Sequence, residues 1–303
     1  MGINFELLAY PVIVGQFFVD GLGRGVMYGL MGMGMALIFG IMGLINFAHG
    51  ALFMIGTYVM YFVAVQLGLP FPVGILAAAA ALFVFGLVAE PALISPLRRR
   101  LGANWLVDGY VMTIGLLIVL ENLALIVMGP REHGLASLLP GRLTVAGVVI
   151  TYERLMIFGV AILAVLGLAA FMRYTSIGRA IRATAENPDA ALAMGIDIRR
   201  VYTVTFAIGA AFVGGVGGLL LATYPAFPTI GGDVLLKSFI VVIVGGLGNV
   251  WAAMVAGPLL GLIEAYAQGI ASSGWQNSII AALVIAVLVF RPSGLFSKSV
   301  TRP

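Results

Sequence analysis

The sequence predicts an all-α protein: a polytopic transmembrane helical bundle of about eight or nine spans, some of them discontinuous or re-entrant. Three observations carry this. Of the 303 residues, 62% are hydrophobic and only 9% are charged, whereas soluble domains carry about 25% charged residues. The mean hydropathy is +1.13. Glycine accounts for 41 residues, and membrane helices use small residues to approach closely because lipid gives no hydrophobic drive for association. Such a chain has too few polar groups to cover its surface in water, which excludes a cytosolic enzyme, a secreted domain and a disordered tail. A β-barrel needs segments of about ten residues with alternating polarity, and the apolar runs here are continuous instead. With no cysteine and only His49 and His133, disulfides, thiolate chemistry and a His-built metal site fall away.

Apolar segments long enough to cross a bilayer need about 20 residues. They fall near 25–45, 48–68, 72–94, 106–128, 155–173, 202–224, 234–250, 252–271 and 277–290. The stretch 5–19 reads as a short interfacial or re-entrant helix. The opening MGINFELLAY holds no Lys or Arg, so no cleaved signal is read. Eleven of the 16 basic residues fall in three regions: Arg98, Arg99 and Arg100; Arg173, Arg179, Arg182, Arg199 and Arg200; and Arg291, Lys298 and Arg302. The positive-inside rule places all three in the cytoplasm. Segments 129–154 and 225–233 then lie outside. Three short spans after residue 233, or one span and a re-entrant pair, both return the chain to the cytoplasm. The start of the chain is external with nine spans and internal with eight. No soluble domain is present, and residues 1–303 form a single transmembrane domain.

The polar loop 174–200 predicts two short helical pieces. Thr175 or Ser176 caps the first. Asn187-Pro188 breaks it, because a residue before Pro avoids the α region. Gly195 stops the second. Within the apolar segments, polar residues are costly and mark a bundle interior or a pathway. Asn46 and His49, followed by Gly50, stand on one helix face; Glu121 and Asn122 lie deep in 106–128; Asn249 follows a glycine run; and Glu264 lies in 252–271. Each reads either as pathway lining or as an interhelical hydrogen-bonding group. Gly43/Asn46 and Gly246/Asn249 suggest corresponding breaks of an internal repeat. The clusters Gly29, Gly32, Gly34 and Gly209, Gly214, Gly215, Gly217, Gly218 serve close packing and movement. Gly231–Ser238, GGDVLLKS, misses a P-loop because Leu236 stands where Gly is required. No H-E-x-x-H, G-x-S-x-G or paired carboxylates occur, so an intramembrane enzyme is the weakest reading.

Several blocks resemble a known family. Asp189, Ala190, Ala191 and Gly195 are similar to the Glu-Ala-Ala-x-x-x-Gly loop of ABC importer permeases, with Asp for Glu. GIMGLINFAHGALFMIGTYV at 40–59, RYTSIGRAIRATAENPDAALAMGID at 173–197, VVIVGGLGNVWAAMVAGPLLGLIEA at 241–265 and RPSGLF at 291–296 resemble blocks of LivH-type branched-chain amino acid permeases, in order. The general permease motif continues with Ile-x-Leu-Pro; here Thr205 replaces that Ile and no Leu-Pro follows. The resemblance implies an inner-membrane importer subunit whose loop at about 174–200 is a coupling helix. Its docking residues would be Arg179, Arg182, Glu186, Asp189, Ala190, Ala191 and Gly195. The implied partners are a second, homologous permease in a heterodimer, two cytoplasmic ATPases and an external solute-binding protein, with no nucleic acid. The chain would hold no cofactor, ATP and Mg residing on the ATPases. The implied substrate is a branched-chain or other hydrophobic amino acid, or a related amide or urea. The alternative is an ion-coupled secondary transporter built on Glu121 and Glu264.

Overall fold

The computed structural model describes residues 5–101, 105–135, 141–221, 224–271, 273–291 and 293–296. Lys298 and Arg302 of the C-terminal basic region lie outside them. Among the described residues, twelve α-helices follow in chain order: α1 (Pro11–Met42), α2 (His49–Tyr61), α3 (Phe71–Ala89), α4 (Ser95–Leu101), α5 (Trp105–Met128), α6 (Tyr152–Tyr174), α7 (Ser176–Glu186), α8 (Pro188–Ala193), α9 (Ile198–Leu220), α10 (Ile230–Gly245), α11 (Val250–Ala271) and α12 (Ser273–Phe290). A hairpin of β1 (Arg142–Val145) and β2 (Val148–Thr151) pairs Arg142 with Thr151 and Val145 with Val148. Among the described residues, seven helical stretches are long and apolar enough to cross a membrane.

The described residues of the three basic clusters lie toward one end. Arg98 lies over the Tyr202 ring at the start of α9, and Leu295, just beyond Arg291, donates to the Val244 carbonyl. By the positive-inside rule this end is cytoplasmic. The hairpin lies at the other end, Val148 against Gly15, as does the bridge between His133 and Ala226. The integral membrane bundle therefore has α1 entering from the external end. From residue 230 three helices follow, α10, α11 and α12; of these α11 is long and apolar enough to cross a membrane, while α10 has 16 residues and starts beside Gly50 of α2.

Two boundaries differ from the sequence reading. The stretch 5–19 is not a separate interfacial helix. A 3₁₀ turn at Phe5–Ala9 leads into α1, which runs unbroken from Pro11 for 32 residues. Polar residues that look like punctuation are absorbed by neighbours: Asp20 is ion-paired with Arg154, and Arg24 donates to Gln268 Oε1 at 2.6 Å. The segment 72–94 continues through a π-helical turn, Glu90–Ile94, into α4; Pro91 lacks an N–H, and the wider turn accommodates it.

α1 is the axis of the bundle. A Cβ at Gly25 would meet the Pro258 backbone, one at Gly257 the Gly29 backbone, and one at Gly261 the Gly25 backbone. These small residues at four-residue spacing let α1 and α11 lie backbone against backbone. A second seam packs Gly56 on Gly214 and Gly217 on the Phe53 carbonyl, joining α2 to α9. Met31, Met33, Leu52, Phe53 and Met54 fill the buried centre between them.

Candidate functional site

The cytoplasmic loop folds into the two pieces that its caps predict. Thr175 Oγ1 accepts from Gly178 N at 2.9 Å to open α7. Asn187 Oδ1 accepts from Ala190 N at 2.9 Å to open α8. Asp197 Oδ1 accepts from Arg199 N at 3.0 Å and starts α9. Gly195 takes φ +82, the left-handed conformation just beyond α8. α7 is anchored by Ile181, fully buried among Leu37, Ile41 and Val201. Ala191 is the buried contact of α8, while Arg179, Arg182, Glu186, Asp189, Ala190 and Gly195 are exposed. Leu192 and Met194 are exposed as well, at 61% and 83%. Sequence reasoning missed these two, since apolar residues in a short helix look like packing.

On its inner side α7 borders a cavity of about 750 Å³ at the cytoplasmic end. Arg182 lines it together with Asn249 and Trp251. Asn249 is also the cap of α11, its Oδ1 accepting from Ala252 N at 3.1 Å. It follows Gly246 and Gly248, both at positive φ.

The other break lies deeper. α1 ends on Gly43 at φ +66, and residues 44–46 are non-helical. His49 Nε2 donates to the Met31 carbonyl at 3.0 Å, so α2 begins roughly 16 Å of helix short of the end of α1. Non-helical backbone at such depth persists only when buried in protein. Leu44, Asn46 and Ala48 are all fully buried. Phe47 N donates to Thr113 Oγ1 of α5 at 3.3 Å, and Ala48 N to Asn46 Oδ1 at 3.0 Å. Gly50 packs on the backbone of Gly231, so α2 and α10 touch at their first turns. Asn46, His49 and Gly50 are thus brought together.

Glu264 is 1% exposed. It accepts from Lys237 Nζ at 2.7 Å and from Tyr28 OH at 3.2 Å. Lys237, part of the failed P-loop match, also donates to Tyr28 OH at 2.6 Å. Glu121 and Asn122 are elsewhere. Asn122 is exposed on α5 and donates to the Ile118 carbonyl of its own helix at 2.8 Å. Glu121 and Glu264 do not form one site, as the ion-coupled alternative requires. A further polar group escaped the sequence reading. Buried Glu90 accepts from Thr203 Oγ1 at 2.5 Å and pairs with Arg98 at 3.4 Å. Arg98 stacks over Tyr202 at 4.3 Å and lies 5.8 Å from the Trp105 ring. Glu90 lies inside the apolar segment 72–94, and nothing beside it in the sequence marks Thr203 or Arg98 as its partner.

A family model described as "Branched-chain amino acid transport system / permease component" matches residues 17–288. The high-affinity branched-chain amino acid transport system permease protein BraD of Pseudomonas aeruginosa is 34% identical over 297 residues, 93% of this chain and 95% of that protein. The permease protein LivH of Escherichia coli K12 is 33% identical over 299 residues, again 93% and 95%. The probable permease protein LivM of Methanocaldococcus jannaschii is 30% identical over 142 residues, 41% of this chain and 40% of that one. No solved structure matches.

Proposed function

The chain belongs to the family of branched-chain amino acid transport system permease components, and from that premise we propose that it is one of two homologous permease subunits of a binding-protein-dependent ABC importer. Its substrates are branched-chain or other hydrophobic amino acids, or a related small solute. Two cytoplasmic ATPases carry ATP and Mg and dock on α7–α8. A solute-binding protein delivers its cargo at the hairpin end. The chain itself holds no cofactor.

The observation that carries this reading is the α7–α8 surface. Leu192 and Met194 stand exposed beside Arg179, Arg182, Glu186 and Asp189. At the aqueous end of the bundle, exposed apolar side chains ringed by charge suit a protein partner. α7 is seated on α1 through Ile181, Leu37 and Ile41, and it shares a cavity with the Asn249 break. A push on α7 by closing ATPases therefore reaches both α1 and the α10–α11 joint. The partial likeness to a LivM protein supports a homologous second permease.

The test is co-purification and uptake. In the assembled transporter, the paired substitution Leu192→Glu and Met194→Glu should strip the ATPases from the membrane subunits. It should also cut binding-protein-dependent leucine uptake more than tenfold. Unchanged assembly and uptake would refute the docking role.

A further inference from the structure

α1 carries a second ridge beside its glycines. Gln16, Asp20, Arg24 and Tyr28 follow at four-residue spacing and share one face. Each is met by another element. Gln16 exchanges hydrogen bonds with the Val149 backbone of the hairpin, at 3.0 and 3.2 Å. Asp20 pairs with Arg154. Arg24 donates to Gln268 of α11. Tyr28 joins Lys237 and Glu264. The line runs from the external end inward to α10.

Its exposure separates it from an ordinary buried polar seam. The side chains of Arg154, Asp20 and Lys237 keep 32%, 26% and 24% of their surface open, while Glu264, behind Lys237, keeps 2%. Charges left open toward hydrocarbon are expensive, and intramembrane ionisable groups normally face a water-filled cavity or an interior pathway. Partly open charges near both ends of the line, Asp20 with Arg154 and Lys237 over buried Glu264, mark a hydrated face. The amino acids of the proposed function have apolar side chains, but their ammonium and carboxylate groups still need compensation at membrane depth. Asp20, Arg24, Glu264 and Lys237 offer alternating acid and base along the line.

We propose that this ridge is the external half of the solute path, and that the Lys237–Glu264 pair at its inner end receives the carboxylate and ammonium of an amino-acid zwitterion. The inference rests on the importer reading above. Lys237 exchanges Glu264 for the substrate carboxylate, and Glu264 exchanges Lys237 for the substrate ammonium. No charge is left bare during the swap, so the site binds without holding. Passage requires that balance.

The chain has no cysteine, so single-cysteine variants label at one position in this subunit. In the assembled transporter, Asp20→Cys, Gln268→Cys and Lys237→Cys should react with a membrane-impermeant sulfonated methanethiosulfonate at least tenfold faster than Ile126→Cys on the outer face of α5. Equal rates would overturn the water path. The neutral double variant Lys237→Met/Glu264→Gln should lose at least tenfold in leucine uptake while the ATPases still co-purify. A merely structural pair would tolerate neutralisation, so uptake at the parent rate would overturn the zwitterion site. Failure of the importer reading appears differently: the parent assembly would transport no leucine, while the labelling pattern would still decide the path.

Discussion

At the scale of single residues, polar groups in this chain do two jobs that the sequence does not separate. Asn249 is a helix cap, whereas Glu264 is the buried member of a partly open charge cluster. Both look alike as isolated polar letters in apolar runs. Glu90 shows what such a letter is worth. Replacing one partner of a buried ion pair leaves the other uncompensated. Glu90→Ala should therefore lower bundle stability by about 3 kcal/mol, the low end for such pairs, because the Arg98 side chain remains 19% exposed. Glu90→Gln should lose less, since its amide oxygen still accepts from Thr203. The thermal midpoint of the detergent-solubilised subunit measures both, and equal loss by the two variants would contradict the pairing.

At the scale of elements, the caps were legible and the lengths were not. Thr175, Asn187-Pro188 and Gly195 predict the α7–α8 fold from chemistry confined to a few neighbouring residues. Asn187→Ala removes the Asn187 Oδ1 cap and should cost α8 about 1 kcal/mol. Amide hydrogen exchange across residues 188–194 should then quicken roughly fivefold, with α9 unchanged. The extent of α1 was hidden because Asp20 and Arg24 look like the end of a span until Arg154 and Gln268 are placed beside them. The deep start of α2 was hidden for a similar reason. Only the Thr113 hydroxyl and the surrounding burial make a non-helical stretch at 44–46 tolerable there.

At the scale of the whole molecule, burial is uneven. α1 is mostly enclosed, while α5 turns Ile118, Leu123, Ile126 and Val127 outward. Met33→Ala, at a fully buried position against the core of α2 and α9, should destabilise the bundle by about 2–5 kcal/mol. Leu123→Ala should leave it within about 0.5 kcal/mol. Retention of monodisperse subunit after heating ranks the two, and equal loss would show that α5 is packed rather than outward-facing. The sequence by itself determined the class, the basic end and the two short helices α7 and α8, because each depends on composition or on neighbours within a turn or two. Only the tertiary structure decided that α1 and α2 share one deep break, that Lys237 answers Glu264, and that the polar residues of α1 form a single line. Those facts depend on contacts between helices far apart in the chain, and spacing along one helix cannot say which neighbour will meet it.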